Sequence, residues 1–162
     1  MKIDSKLTIS KGELKKLYRP ELRELLALSV YQATDSKIDS ILEHIVHQIT
    51  YVFFASESDR IVGLLLIKQQ ATNFFEILSI AVFPTKQHQG IGRLLIDRLL
   101  QTYPDCQIEA ETDQETVNFY HSLGFRIHSL GEKYPSTIRY KVLYDHKFWN
   151  PVPFEWLIEQ IQ

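Results

Sequence analysis

Cysteine is nearly missing from this 162-residue chain. Cys106 stands alone, so no disulfide can close within the chain, and a cysteine nucleophile would have to be this residue. Its setting in the strand-like stretch CQIEAET suits a small apolar core residue better than a reactive thiol. An excess of charge is missing too. The formal net charge of -2 provides no basic footprint, which excludes the electrostatics expected of a nucleic-acid binder. Long apolar runs are absent: the opening MKIDSKLTIS has no apolar core of signal-peptide length, and no stretch approaches a membrane span. A cytoplasmic protein with no membrane partner is expected. No repeat, low-complexity tract or linker divides the chain, so it reads as one domain over residues 1–162, long enough to bury a sizeable core.

What is present alternates in period. KLTIS reads as a short strand, and residues 13–33 carry apolar residues at helical spacing, with Pro20 interrupting or opening the helix. Residues 37–49 read as a second helix, on Ile38, Ile41, Leu42, Ile45 and Ile49. YVFFAS, RIVGLLLIKQ and FFEILSIAVF then read as an antiparallel meander. After them come an amphipathic helix over residues 90–103, a strand, and a helix over residues 114–124 that Asp113 can cap and Gly124 can close. FRIHSL and STIRYKVLYD make a final hairpin. This order predicts a single-domain mixed α/β (α+β) fold, a central mixed sheet flanked by helices.

Glycine is scarce, with six residues in all, yet Gly90 and Gly92 stand one residue apart at the mouth of a helix. No Ser, Thr, Asp or Asn is there to cap the first turn. The phosphate-loop motif needs a Gly-Lys-Ser/Thr that is missing, and the dinucleotide fingerprint needs a third glycine where Leu95 stands. The remaining reading is Q-x-x-G-x-G, formed by Gln87, Gly90 and Gly92. Free N–H groups at a helix start, together with the positive end of its dipole, make an anion site that glycine lets a phosphate approach.

With its preceding strand and following helix, QHQGIG resembles the acyl-coenzyme-A-binding signature of the GNAT superfamily of N-acetyltransferases. NFYHSLGF, residues 118–125, resembles a second block of the same superfamily, in which a helix with a Phe-Tyr pair ends in Leu-Gly-Phe. The resemblance is strongest over residues 74–144 and does not extend to the aromatic tail KFWNPVPFEWLIEQIQ. That tail reads as a terminal segment packed over the domain; an acceptor-pocket wall or a homodimer contact is its functional alternative.

The resemblance implies acetyl-coenzyme A as acyl donor and direct transfer to a primary amine in a ternary complex, the acceptor being a small molecule ahead of a protein. It implies that the backbone of Ile80, Ala81 and Val82 pairs with the pantetheine arm, and that Gln87, His88, Gln89, Gly90, Ile91, Gly92 and Arg93 cradle the pyrophosphate, with Asn118 a further contact. Tyr120 matches the helix tyrosine that protonates the departing thiolate. A non-catalytic acyl-coenzyme-A-binding module is the alternative. An alkylamine pKa near ~10.4 calls for a carboxylate, directly or through water, to take its proton. Glu76, Glu109 and Glu111 are the candidates, with a solvated or salt-bridged position on the sheet as the competing reading of the last two. In the strand, alternation places Phe74, Glu76, Leu78, Ile80 and Val82 on one face and Ser79 and Ala81 on the other. His44 and His47 lie one helical turn apart, but no further ligands stand at recognisable spacing, so no metal is expected.

Overall fold

The computed structural model describes residues 6–13, 19–45, 47–48 and 50–146. The tail from Lys147, part of the expected first helix, and Ile49 lie outside them. The order is β1 (Leu7–Gly12), α1 (Pro20–Ser29), α2 (Asp35–Ile45), β2 (Thr50–Glu57), β3 (Arg60–Ala71), β4 (Phe74–Val82), α3 (Ile91–Thr102), β5 (Gln107–Asp113), α4 (Val117–Ser122), β6 (Arg126–Tyr134) and β7 (Thr137–Asp145). The strands form one seven-stranded sheet in the order β1-β2-β3-β4-β5-β7-β6. All neighbours are antiparallel except β4 and β5. No helix among the described residues is long and apolar enough to cross a membrane.

The two faces of the sheet carry two cores. Phe53, Leu65, Ile67, Phe75, Ile77, Ile108 and Val142 pack with Ile91, Leu95, Ile96 and Leu99 of α3. Val52, Phe54, Leu64, Leu66 and Ala81 pack with Leu22, Leu25 and Leu26 of α1 and Ile38, Leu42 and Ile45 of α2. β3 is therefore buried on both faces, which explains its continuous apolar run in place of an alternating one. Pro20 opens α1 at the first helical turn, where its missing N–H costs no hydrogen bond. α2 ends at Ile45, so His47 does not continue a helix with His44. Cys106 is fully buried, and burial, the largest cause, pushes its thiol up to about 11, leaving it inert at neutral pH.

β4 departs from strict alternation. Leu66 faces Ser79 and Ile67 faces Ile77, so Leu78 is one residue too many against β3, a β-bulge. The extra residue swaps the faces. Phe75 and Ile77 lie in the α3 core, while Ser79 bonds Ser29 of α1 and Ala81 joins the α1 and α2 core. This corrects the alternation reading: Glu76 does not share a face with Ile80 and Val82, because the bulge lies between them. Glu76 and Leu78 turn to the α1 side, and Ile80 and Val82 pack against the α3 core.

Candidate functional site

The same strand loses a neighbour. β4 pairs with β5 only at Phe74↔Gln107, Phe75↔Ile108 and Glu76↔Glu109. β5 continues to Asp113 paired with β7 alone, and β4 continues to Val82 paired with β3 alone. The two strands part like an opening V, leaving a row of peptide groups on each inner edge without a ladder. Such groups call for a partner.

At the open end the chain leaves β4 through a 3-10 turn, Pro84–Lys86, and reaches α3. The Gln87 side chain donates to the Val82 carbonyl at 3.0 Å, and Lys86 pairs with Glu57 at 2.9 Å, so both are occupied in shaping the loop. His88 and Gly90 adopt left-handed backbone, at φ 63° and 82°. Gly90 is the residue preceding α3 and has no side chain to cap it, so the N–H groups of the first turn stay uncapped. A Cβ on Gly90 would meet nothing within 4 Å, which marks open space beside those donors. Gly92 differs. A Cβ there would press on the Phe119 ring at 3.2 Å, so its absence lets α4 close up against α3. In β3, Gly63 plays a similar part, because a Cβ there would meet Ile91 at 3.2 Å.

The result is a cleft of about 460 Å³. One wall is Ile80, Ala81 and Val82, the floor is Gln87, His88, Gly90, Ile91, Gly92 and Arg93, and the far wall is Thr116, Phe119, Ser122 and Leu123 of the α4 region. Gln89 and Asn118 do not line it. Arg93 is exposed at the rim. The α4 wall is held by Asp113, whose carboxylate accepts the Thr116 N–H at 2.9 Å, and by Gly124 at φ 90°, whose N–H donates to the His121 carbonyl. Tyr120 lies behind this wall, 2% exposed, edge-on to Phe119 and Phe125. Burial first, and the Asp113 charge second, push its phenol well above the ordinary tyrosine range, so it keeps its proton.

The three glutamates do not share one environment. Glu109 is ion-paired to Lys141 at 3.0 Å. Glu111 is held by Lys133 at 2.8 Å and by Arg139 at 3.1 Å. Burial would raise the Glu111 carboxyl, but hydrogen bonds and charge from Lys133 and Arg139 outweigh it and hold the group below the usual carboxylate range. Glu76 has no cationic partner among the described residues; it accepts a hydrogen bond from Gln70 and lines a second cavity on the α1 and α2 side of β4. Among the described residues no three His, Cys, Asp or Glu side chains converge as metal ligands. The sequence reading missed Phe119, Ser122 and Leu123 as walls. Their signal was present in the NFYHSLGF block, where the tyrosine drew the attention.

Residues 24–135 match the family described as an acetyltransferase (GNAT) domain. That is well over half of the chain, and the chain belongs to this family of acetyltransferases. No curated protein matches the chain in sequence. Among solved structures it is similar to the ribosomal-protein-S18-alanine N-acetyltransferase from Escherichia coli, at TM-score 0.71 and 18% identity over 86% of this chain and 94% of that one. It is similar to a Bacillus subtilis acetyltransferase in complex with CoA, at TM-score 0.66 and 22% identity, covering 86% of this chain and 99% of that one. It is also similar to an Elizabethkingia anophelis GNAT family acetyltransferase with acetyl-CoA bound, at TM-score 0.64 and 20% identity over 86% and 97%. At these identities the likeness concerns the fold: the seven-stranded mixed sheet flanked by helices is that of the GNAT structures.

Proposed function

We propose that the chain transfers an acetyl group from acetyl-CoA to a primary amine in a ternary complex. The observation that carries this reading is the parting of β4 from β5 directly beside the uncapped first turn of α3. An extended pantetheine arm would fill the missing place along residues 80–82, as an added strand does, and the pyrophosphate would meet the donors of the α3 turn. The exposed Arg93 and His88 stand at the rim of the same cleft. Acetyl-CoA supplies the thioester; the rest of the chemistry falls to residues of the chain.

Glu76 is the base in this reading. It sits at the last β4 position that still pairs with β5, at the point of the V, and no cation among the described residues holds its carboxylate. It takes the amine proton, directly or through water, as the new C–N bond forms and the C–S bond breaks. Glu109 and Glu111, held by Lys141, Lys133 and Arg139, act in the sheet. Tyr120 returns a proton to the departing thiolate. Like any tyrosine it carries that proton at neutral pH, and burial, by raising its pKa, makes it a weaker acid than a free phenol. The test is acetyl-CoA consumption against a panel of primary amines, with Glu76→Gln alongside. Turnover in the parent that Glu76→Gln reduces sharply, at equal CoA affinity, supports the reading; CoA binding with no turnover on any amine replaces it by a binding module.

A further inference from the structure

The second cavity, about 510 Å³, lies between α1, α2 and the face formed by β3 and β4. Its helix wall sets apolar Leu26, Val30, Ile41 and Ile45 beside polar Ser29, Ser40 and His44, and its sheet wall carries two opposite charges, Lys68 and Glu76. They are direct cross-strand partners. Opposite charges at such positions ordinarily pair. Here Glu76 accepts from Gln70, and half-buried Lys68 has no hydrogen bond or ion pair among the described residues. An ammonium and a carboxylate thus face one cavity side by side without neutralising each other. Because the sheet runs β3-β4-β5, Lys68 lies on the far side of Glu76 from the place where β4 and β5 part.

We propose that this cavity takes a free α-amino acid with an apolar side chain as the acetyl acceptor, an inference that rests on the acetyltransferase reading above. The carboxylate of the ligand meets the Lys68 ammonium, and its amine meets Glu76, one strand spacing of about 4.8 Å further on and beside the parted strands. The side chain lies against Leu26, Val30 and Ile41. Two acceptor classes fit badly. A polyamine would find one carboxylate and a repelling ammonium. A protein N-terminus or a lysine side chain brings an amide where Lys68 needs an anion.

The test compares kcat/KM for leucine, leucinamide and spermidine in the parent, in Lys68→Met and in Lys68→Arg, all with acetyl-CoA. Leucine is expected to exceed leucinamide by at least about tenfold, mainly through KM, in line with a charge-assisted hydrogen bond. Lys68→Met is expected to bring the ratio near one, and Lys68→Arg to restore it. A parent that prefers leucinamide or spermidine, or a leucine preference that survives Lys68→Met, overturns the inference and leaves the acetyltransferase reading standing. No acetyl-CoA consumption with any amine overturns both.

Discussion

β4 passes through two different neighbourhoods within nine residues. Over residues 74–76 it has a strand on each side, β3 and β5. Past the bulge at Leu78 it keeps β3 alone, while β5 diverges toward β7. In the first part the backbone is satisfied and Phe75 is packed into the α3 core. In the second, the peptide edge borders a cleft that ends at the uncapped turn of α3. The comparison teaches that this site is made chiefly by missing pieces: a ladder that stops, a cap that glycine cannot supply, and a Cβ absent beside Phe119. In the proposed reaction, side-chain chemistry enters at the junction of the two parts, where Glu76 stands.

The largest expected effect is therefore at that junction. Glu76→Gln keeps shape and hydrogen bonding and removes only the proton acceptor. It is expected to lower kcat by roughly 10² to 10⁴, the usual range for a positioned base, with CoA affinity by calorimetry within about twofold of the parent. A variant with parent-like turnover would dissolve the distinction drawn between Glu76 and the paired glutamates.

Next comes the open end. Gly90→Asp puts a carboxylate at the anion site at a left-handed position that Asp tolerates better than most residues. Reversing a favourable helix-terminus interaction of up to about 2 kcal/mol weakens CoA binding by roughly thirtyfold, with a small change in Tm. Gly92→Ala is the control that sharpens the comparison. It acts on Phe119 packing and leaves the anion site without a new charge, so CoA affinity should fall less than for Gly90→Asp.

Much of this architecture was legible in the sequence, because the helices and strands differ in period and each is bounded by a turn residue. Gly124 occupies the closing place that its type suggests, whereas the helix begins later than expected, at Val117, without a side-chain cap, and the Asp113 carboxylate accepts the Thr116 N–H in the turn before it. The bulge was not legible. FFEILSIAV alternates without a glycine or proline to mark an inserted residue, so the swap of faces at Leu78 depends on the register with β3. The salt-bridged reading of Glu109 and Glu111 was open in the sequence but their partners were not, since Lys141, Lys133 and Arg139 lie 22 to 32 positions away and meet them only across the hairpin of β6 and β7. Gly92 stands on the cleft floor as its reading required, and its lack of a Cβ also makes room for Phe119, a contact that the sequence did not show.

Tyr120→Phe probes the packing behind the α4 wall of the open end. The ring contacts with Phe119 and Phe125 survive, and only the hydroxyl goes. Single-turnover rates should fall by about tenfold or more if the phenol delivers the proton, with Tm and CoA affinity near the parent. Parent-like rates would make Tyr120 a packing residue.

The smallest effect on activity is expected at Glu111, on the part of the sheet where the partners are complete. Glu111→Gln should change kcat by less than about threefold, within what uncoupled surface changes produce. Its mark should instead be on stability against pH. With Lys133 and Arg139 holding the folded carboxyl below its ordinary value of 4.5, the unfolded chain binds the Glu111 proton more readily than the folded one. The contribution is therefore complete above that pH and is lost as pH falls through the lower, folded value. The parent should melt above Glu111→Gln at pH 7, and the gap should close in acid; part of it should also close at high salt, because this group is partly exposed. A gap that stays constant from pH 7 down to pH 3 would mean that the substitution acts through packing, and that the two cations do not hold Glu111 as their geometry indicates.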